Sequence, residues 1–144
     1  MQAPLWEKDM KLDAQIVGNA GLYYASYRLS LLGWNAMPTS RNARGIDVVA
    51  YTGDGNRYIG LQVKTLSKRN SVLLGKSVEG LMGDFWIIVN NVTAAEPQTY
   101  IMLPDEVQRL ATQGGKGGKA HWLRVSAYDR DEFHEAWDRI GRGD

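Results

Sequence analysis

Residues 45–64 constrain the fold of this chain more than any other stretch. Arg57 to Lys64 alternates, with Ile59, Leu61 and Val63 on one face of a strand and Tyr58, Gly60, Gln62 and Lys64 on the other. Gly45 to Tyr51 is rich in β-branched residues, and Thr52-Gly53-Asp54-Gly55-Asn56 between the two is turn chemistry. The pattern predicts an antiparallel hairpin. Trp34 to Thr39 reads as a short strand, with Pro38 marking an edge or an end. Phe85-Trp86-Ile87-Ile88-Val89 is a continuous apolar run of strand length, as a buried central strand requires. Gln98 to Leu103 and, more weakly, His121 to Ser126 extend the strand set.

Helices surround these strands. Leu22, Ala25, Leu29 and Leu32 recur at spacings of three and four and share one face of a helix that ends at Gly33. Its start lies near Lys11, with a break around Gly18. Lys76 to Met82 predicts a short helix. Pro104-Asp105-Glu106 opens another, since proline suits the first turn and acids there complement the helix dipole. Asp129 to Ile140 predicts a terminal helix with Phe133, Ala136, Trp137 and Ile140 on one face. The expected fold is α/β, a mixed sheet of about five strands with helices on both faces.

The length, 144 residues, predicts one domain over 1–144. No cysteine is present, which excludes a disulfide scaffold, a thiolate metal site and a cysteine nucleophile. The two histidines, His121 and His134, share no local partner and read as structural or exposed. No apolar run approaches the roughly 20 residues that span a bilayer. Glu7, Lys8 and Asp9 are followed by no apolar segment of the signal-peptide kind. The expected compartment is cytoplasmic, with no membrane partner. No Gly-x-Ser-x-Gly elbow and no phosphate-cradling glycine loop before a helix occurs. Gly114-Gly115-Lys116-Gly117-Gly118-Lys119 reads as a surface loop.

The net charge of +1 hides an uneven distribution. Residues 41–76 hold seven bases (Arg41, Arg44, Arg57, Lys64, Lys68, Arg69 and Lys76) and only two acids, Asp47 and Asp54. Residues 129–144 are net acidic. A basic block of this kind suits a polyanion, and Arg41, Arg44, Lys68, Arg69 and Lys76 are candidate phosphate contacts.

Inside that block, Asp47 begins one hairpin strand, and Gln62 and Lys64 lie two apart near the end of the other. Period two puts Gln62 and Lys64 side by side, and strand pairing brings Asp47 to them. A carboxylate, an amide and an ammonium can hold a divalent cation and a phosphate, the metal taking Asp47 and an oxygen from Gln62 or from the Val63 carbonyl. Lys64 would orient water or neutralise charge building on phosphorus. The same triplet also fits an exposed sheet face with one incidental acid.

The run Gly18-Asn19-Ala20-Gly21-Leu22-Tyr23-Tyr24-Ala25 with Leu29, Gly33 and Trp34, then Asn42, Gly45-Ile46-Asp47-Val48-Val49, then Leu61-Gln62-Val63-Lys64-Thr65, resembles the PD-(D/E)XK nuclease superfamily, in particular its Holliday-junction-resolvase-like and Mrr-like branches. The resemblance covers roughly residues 18–65. It implies a restriction-endonuclease-like fold and Mg²⁺- or Mn²⁺-dependent hydrolysis of DNA phosphodiester bonds. It further implies a homodimer on duplex or branched DNA. Asp47 falls on the metal-binding aspartate, Gln62 on the acid-or-glutamine position and Lys64 on the catalytic lysine. Leu22 stands where the opening helix of the family often carries a glutamate, and Gln62 replaces the second acid. One core carboxylate therefore remains, with Asp13 and Glu79 as distant substitutes. A catalytically degenerate member, serving as a DNA-binding or protein-interaction module such as an accessory or antitoxin subunit, is the alternative expectation.

Overall fold

The computed structural model describes residues 11–40 and 45–144. These residues form helix α1 (Ala14–Leu31) and strands β1 (Asn35–Pro38), β2 (Val48–Tyr51), β3 (Tyr58–Thr65), β4 (Val72–Gly75), β5 (Phe85–Asn90) and β6 (Gln98–Met102). Helix α2 (Pro104–Leu110), strands β7 (Thr112–Gly114) and β8 (Ala120–Leu123), and helix α3 (Val125–Tyr128) follow. The main sheet is mixed, five-stranded and ordered β1-β2-β3-β5-β6, and a second sheet is ordered β4-β8-β7. The α/β class with a mixed five-stranded sheet is therefore as expected.

The β2–β3 hairpin is antiparallel, with Val48 opposite Leu61 and Tyr51 opposite Tyr58. Its turn closes on Asp54, whose carboxylate accepts from the Thr52 hydroxyl at 2.7 Å and the Asn56 N–H at 3.0 Å. β5 runs parallel to β3 and antiparallel to β6. It is the central buried strand that its apolar run predicts.

Alternation along the strands divides the interior in two. Val48, Ala50, Ile59, Leu61, Ile87, Val89 and Ile101 face Ala25 and Leu29 of α1, together with Trp34, Trp137 and Ile140. Trp86, Ile88, Tyr100 and Met102 face the other way, onto Val72, Val107, Leu123, Ala127, Tyr128 and Phe133. The second face is thus covered by a small sheet and two short helices, where helices alone are expected. Neither β4 nor β7 is among the expected strands: they are only four and three residues long.

α1 starts at Ala14, where the Asp13 carboxylate caps the Ile16 N–H at 2.9 Å. It passes through Gly18 without a break. Its buried stripe is Val17, Gly21, Ala25 and Leu29, at four-residue spacing, with Leu22 half-buried at the margin. Gly21 is required here, because a Cβ at this position would lie 1.8 Å from Thr65 Oγ1.

Three further expectations need correction. Lys76 to Met82 is not a helix but a series of bends and turns, and Gly75, Gly80 and Gly83 all take positive φ. Asp129 to Ile140 is not a helix either. His134 bridges to Tyr100, Glu135 sits at φ 50°-range left-handed geometry, and only Trp137–Arg139 forms a 3-10 turn. Phe133 consequently enters the second core while Trp137 and Ile140 enter the first. The strand placed at His121 to Ser126 ends at Leu123, and Val125 already begins α3. The glycine-rich stretch is an exposed loop as expected, joining β7 to β8, with only Gly114 inside β7. Among the described residues no helix is long and apolar enough to cross a membrane.

Candidate functional site

The site originates in unequal strand lengths. β2 has four residues and β3 has eight, so β3 continues past its partner. The last backbone bond between them runs from the Asp47 N–H to the Leu61 carbonyl at 2.9 Å. The Thr39 N–H donates to the Asp47 carbonyl at 2.9 Å, and the Thr39 hydroxyl to the Ile46 carbonyl at 2.6 Å. Asp47 is thus held from both sides by backbone. Gly45, at φ +79°, makes the turn into this segment.

Beyond that point the Asp47 side chain takes over the ladder. Its Oδ2 accepts the Val63 N–H at 2.7 Å. The N–H and C=O of one strand residue project to the same edge, so the Val63 carbonyl opens beside this carboxylate. α1 lies across the opening. The cleft between them, about 390 Å³, is lined by Gln15, Gly18, Asn19, Leu22 and Tyr23 of α1, by Pro38, Thr39 and Ser40, and by Asp47 and Val63.

Among the described residues Asp47 is the one acid lining this cleft, and the remaining polar groups there are neutral amides and hydroxyls. A cation held here would take the Asp47 carboxylate and the Val63 carbonyl, with amide oxygens of Gln15 and Asn19 in the same wall. All-oxygen donors suit Mg²⁺ or Mn²⁺, and a single carboxylate leaves charge to be supplied by a bound phosphate. No group of three His, Cys, Asp or Glu side chains suited to a metal occurs among the described residues.

The other predicted residues fall elsewhere. Gln62 and Lys64 project from the face of β3 opposite to Leu61 and Val63, level with Trp86 and Ile88 of β5. Neither lines the cleft. The Lys64 ammonium lies 5.5 Å from the centre of the Trp86 ring. The structure therefore brings Asp47 and Val63 together and directs Gln62 and Lys64 to the other side of the strand. Lys68 and Lys76 are exposed, whereas Arg69 is paired with Asp129 at 2.6 Å. Arg41 and Arg44 lie outside the described residues. Asp13 is engaged in capping α1 and Glu79 is exposed; neither enters the cleft wall.

Sequence reasoning missed Gln15, Asn19, Thr39 and Ser40. A signal for the first two existed. Residues 15, 18, 19 and 22 stand at i, i+3, i+4 and i+7, one helical face beside the buried stripe. Thr39 and Ser40 carry no such pattern, because only the close of β1 against Asp47 brings them in. No protein-family model and no curated protein matches the chain.

Proposed function

We propose that this chain is a metal-dependent, PD-(D/E)XK-type DNA endonuclease-like protein that hydrolyses phosphodiester bonds. The observation that carries the reading is Asp47 at the open edge of β3, bonded to Val63 and facing α1 across a cleft. Mg²⁺ or Mn²⁺ bound there would polarise a phosphoryl oxygen and lower the pKa of a coordinated water. Asp47 and the Val63 carbonyl hold the ion, with the amides of Gln15 and Asn19 in the same wall, whereas Gln62, on the other face of β3, makes no contact with it. Lys64, seated on Trp86 at the other face of β3, is likewise out of reach of this ion, so among the described residues the cleft on the α1 side supplies no lysine. Arg41, Arg44, Lys68 and Lys76 seat the DNA backbone, and Arg69 shares its charge with Asp129. The same reading sets the protein in the cytoplasm.

The test uses supercoiled and branched DNA with Mg²⁺ and with Mn²⁺. Wild type should nick at least one substrate, and Asp47→Ala should lose that activity. DNA affinity should fall steeply with salt. A wild type that cuts neither substrate at high protein concentration with either metal sinks the nuclease reading.

Leu22 in the cleft wall and Lys64 against Trp86 favour a second reading. In it the chain is a catalytically degenerate module that binds DNA or a protein, as an accessory or antitoxin subunit would. Salt-sensitive DNA binding without cleavage is its signature.

The homodimer belongs to the same proposal. α1 is 18 residues long, about 27 Å, and its one charged residue, Arg28, is turned inward to Glu135. Its outer face exposes Ile16, Tyr23, Tyr27 and Leu31. An uncharged stripe of this kind is self-complementary across a twofold axis, so a second copy is its partner. Light scattering should give a dimer for wild type and a monomer for Tyr27→Lys; a monomeric wild type removes the dimer.

A further inference from the structure

A second cavity, about 260 Å³, opens on the outer face of the small sheet and is lined by Asn70, Ser71, Gly115, Trp122 and Arg124. It lies apart from the Asp47 cleft and shares no residue with it. The Trp122 indole N–H is buried and has no acceptor. Leaving such a donor unpaired is costly, so an acceptor is owed at this point. The Gly115 backbone, at φ +86°, comes so close that a Cβ there would lie 3.3 Å from the indole nitrogen.

Arg124 stands two residues further along the same face. Its Nε donates to the Thr112 hydroxyl at 3.0 Å, which fixes the guanidinium and leaves both terminal nitrogens available. Among the described residues it forms no ion pair, and no acid lines the cavity. The Asn70 side-chain oxygen is already taken by the Ser71 N–H at 2.8 Å, which leaves its amide nitrogen as the free donor of that side chain. The Ser71 hydroxyl completes the set. Donors prevail, and one is a guanidinium whose fork matches a phosphate. Lys68 and Arg69 lie just before this wall in sequence, and Lys116 and Lys119 just after Gly115.

We propose that this cavity binds a phosphate oxyanion, free or in a nucleic-acid backbone, through the Trp122 indole N–H and the Arg124 guanidinium. The site does not depend on a cation at Asp47.

The test follows indole N–H signals of the full-length ¹⁵N-labelled chain by NMR. The five tryptophans give five such signals, and Trp122→Phe identifies the relevant one. Inorganic phosphate, titrated against chloride at matched ionic strength, should shift that signal saturably while the other four stay in place. Arg124→Gln, at an exposed position, should weaken the response about tenfold or more; four unmoved indole signals verify that the variant is folded. A short duplex DNA distinguishes the source: movement with both ligands assigns a backbone contact, and movement with phosphate alone assigns a small anion. A Trp122 signal unmoved by phosphate and by duplex overturns the proposal. DNA cleavage or binding that persists in that case leaves the reading at Asp47 untouched.

Discussion

Single atoms decide how closely α1 approaches the sheet. At Gly21 a methyl group would lie 1.8 Å from Thr65 Oγ1 and 2.4 Å from its Cγ2. Gly21→Ala should therefore cost about 1–3 kcal/mol by thermal or urea denaturation, despite the better helix propensity of alanine. Thr65→Ala removes the two nearest atoms and should recover part of the loss, with non-additivity in the double-mutant cycle as the readout. The same contact fixes the width of the Asp47 cleft, because Thr65 follows Val63 by two residues on β3. Leu22 faces Asp47 across that cleft. Leu22→Glu would add a second carboxylate, and Mn²⁺ affinity by calorimetry should rise about tenfold, since a second acid is the usual complement for such an ion. An affinity unchanged by Leu22→Glu would mean that the cation does not bind between α1 and β3.

At the scale of elements, the sequence was legible where its apolar pattern matched the faces that the fold buries. α1 and β3 announced themselves through spacing, and β5 through a continuous apolar run. The C-terminal segment did not, because its apolar residues sit at helical intervals without being helical. Tertiary bonds account for that. Glu135, at φ +51°, accepts from the Thr99 hydroxyl at 2.6 Å, the Trp137 indole at 3.0 Å and Arg28 of α1 at 3.0 Å. Those three bonds hold a backbone conformation that a helix cannot contain. Glu135→Ala and Glu135→Gly lose the same bonds, but glycine accepts the left-handed conformation. The glycine variant should be the more stable of the two by about 1 kcal/mol in equilibrium unfolding. Alanine equal to or better than glycine would show that the segment has refolded. The site was half legible for a related reason. Alternation found Asp47 and the hairpin, but the end of β2, which decides what Asp47 meets, is set by register and not by composition.

Across the whole molecule, the acidic tail is bound into the structure and does not float as a counter-charge. Arg139 donates to Glu106 at 2.8 and 3.0 Å, and Arg28 reaches Glu135. Burial works to raise both carboxyls, but the bonds from Arg139 and the Leu103 N–H, and from Thr99 and Arg28, hold them below the ordinary value of 4.5. A depressed carboxyl stabilises fully above its unfolded-state pKa and loses that contribution as pH falls through the folded-state one. Melting temperature should thus be level near neutrality with respect to these groups and drop below about pH 4.5. Glu106→Gln and Glu135→Gln should start lower and show a shallower acid decline; an unaltered decline in both would exclude these pairs as its cause. β5 gives the molecule its unity. Ile87 and Val89 close the first core, Trp86 and Ile88 the second, so the strand is a party wall between two rooms. Neither room can be opened by pulling that wall out alone, and the two cores should melt together, with the amide protons of this strand the last to exchange with solvent.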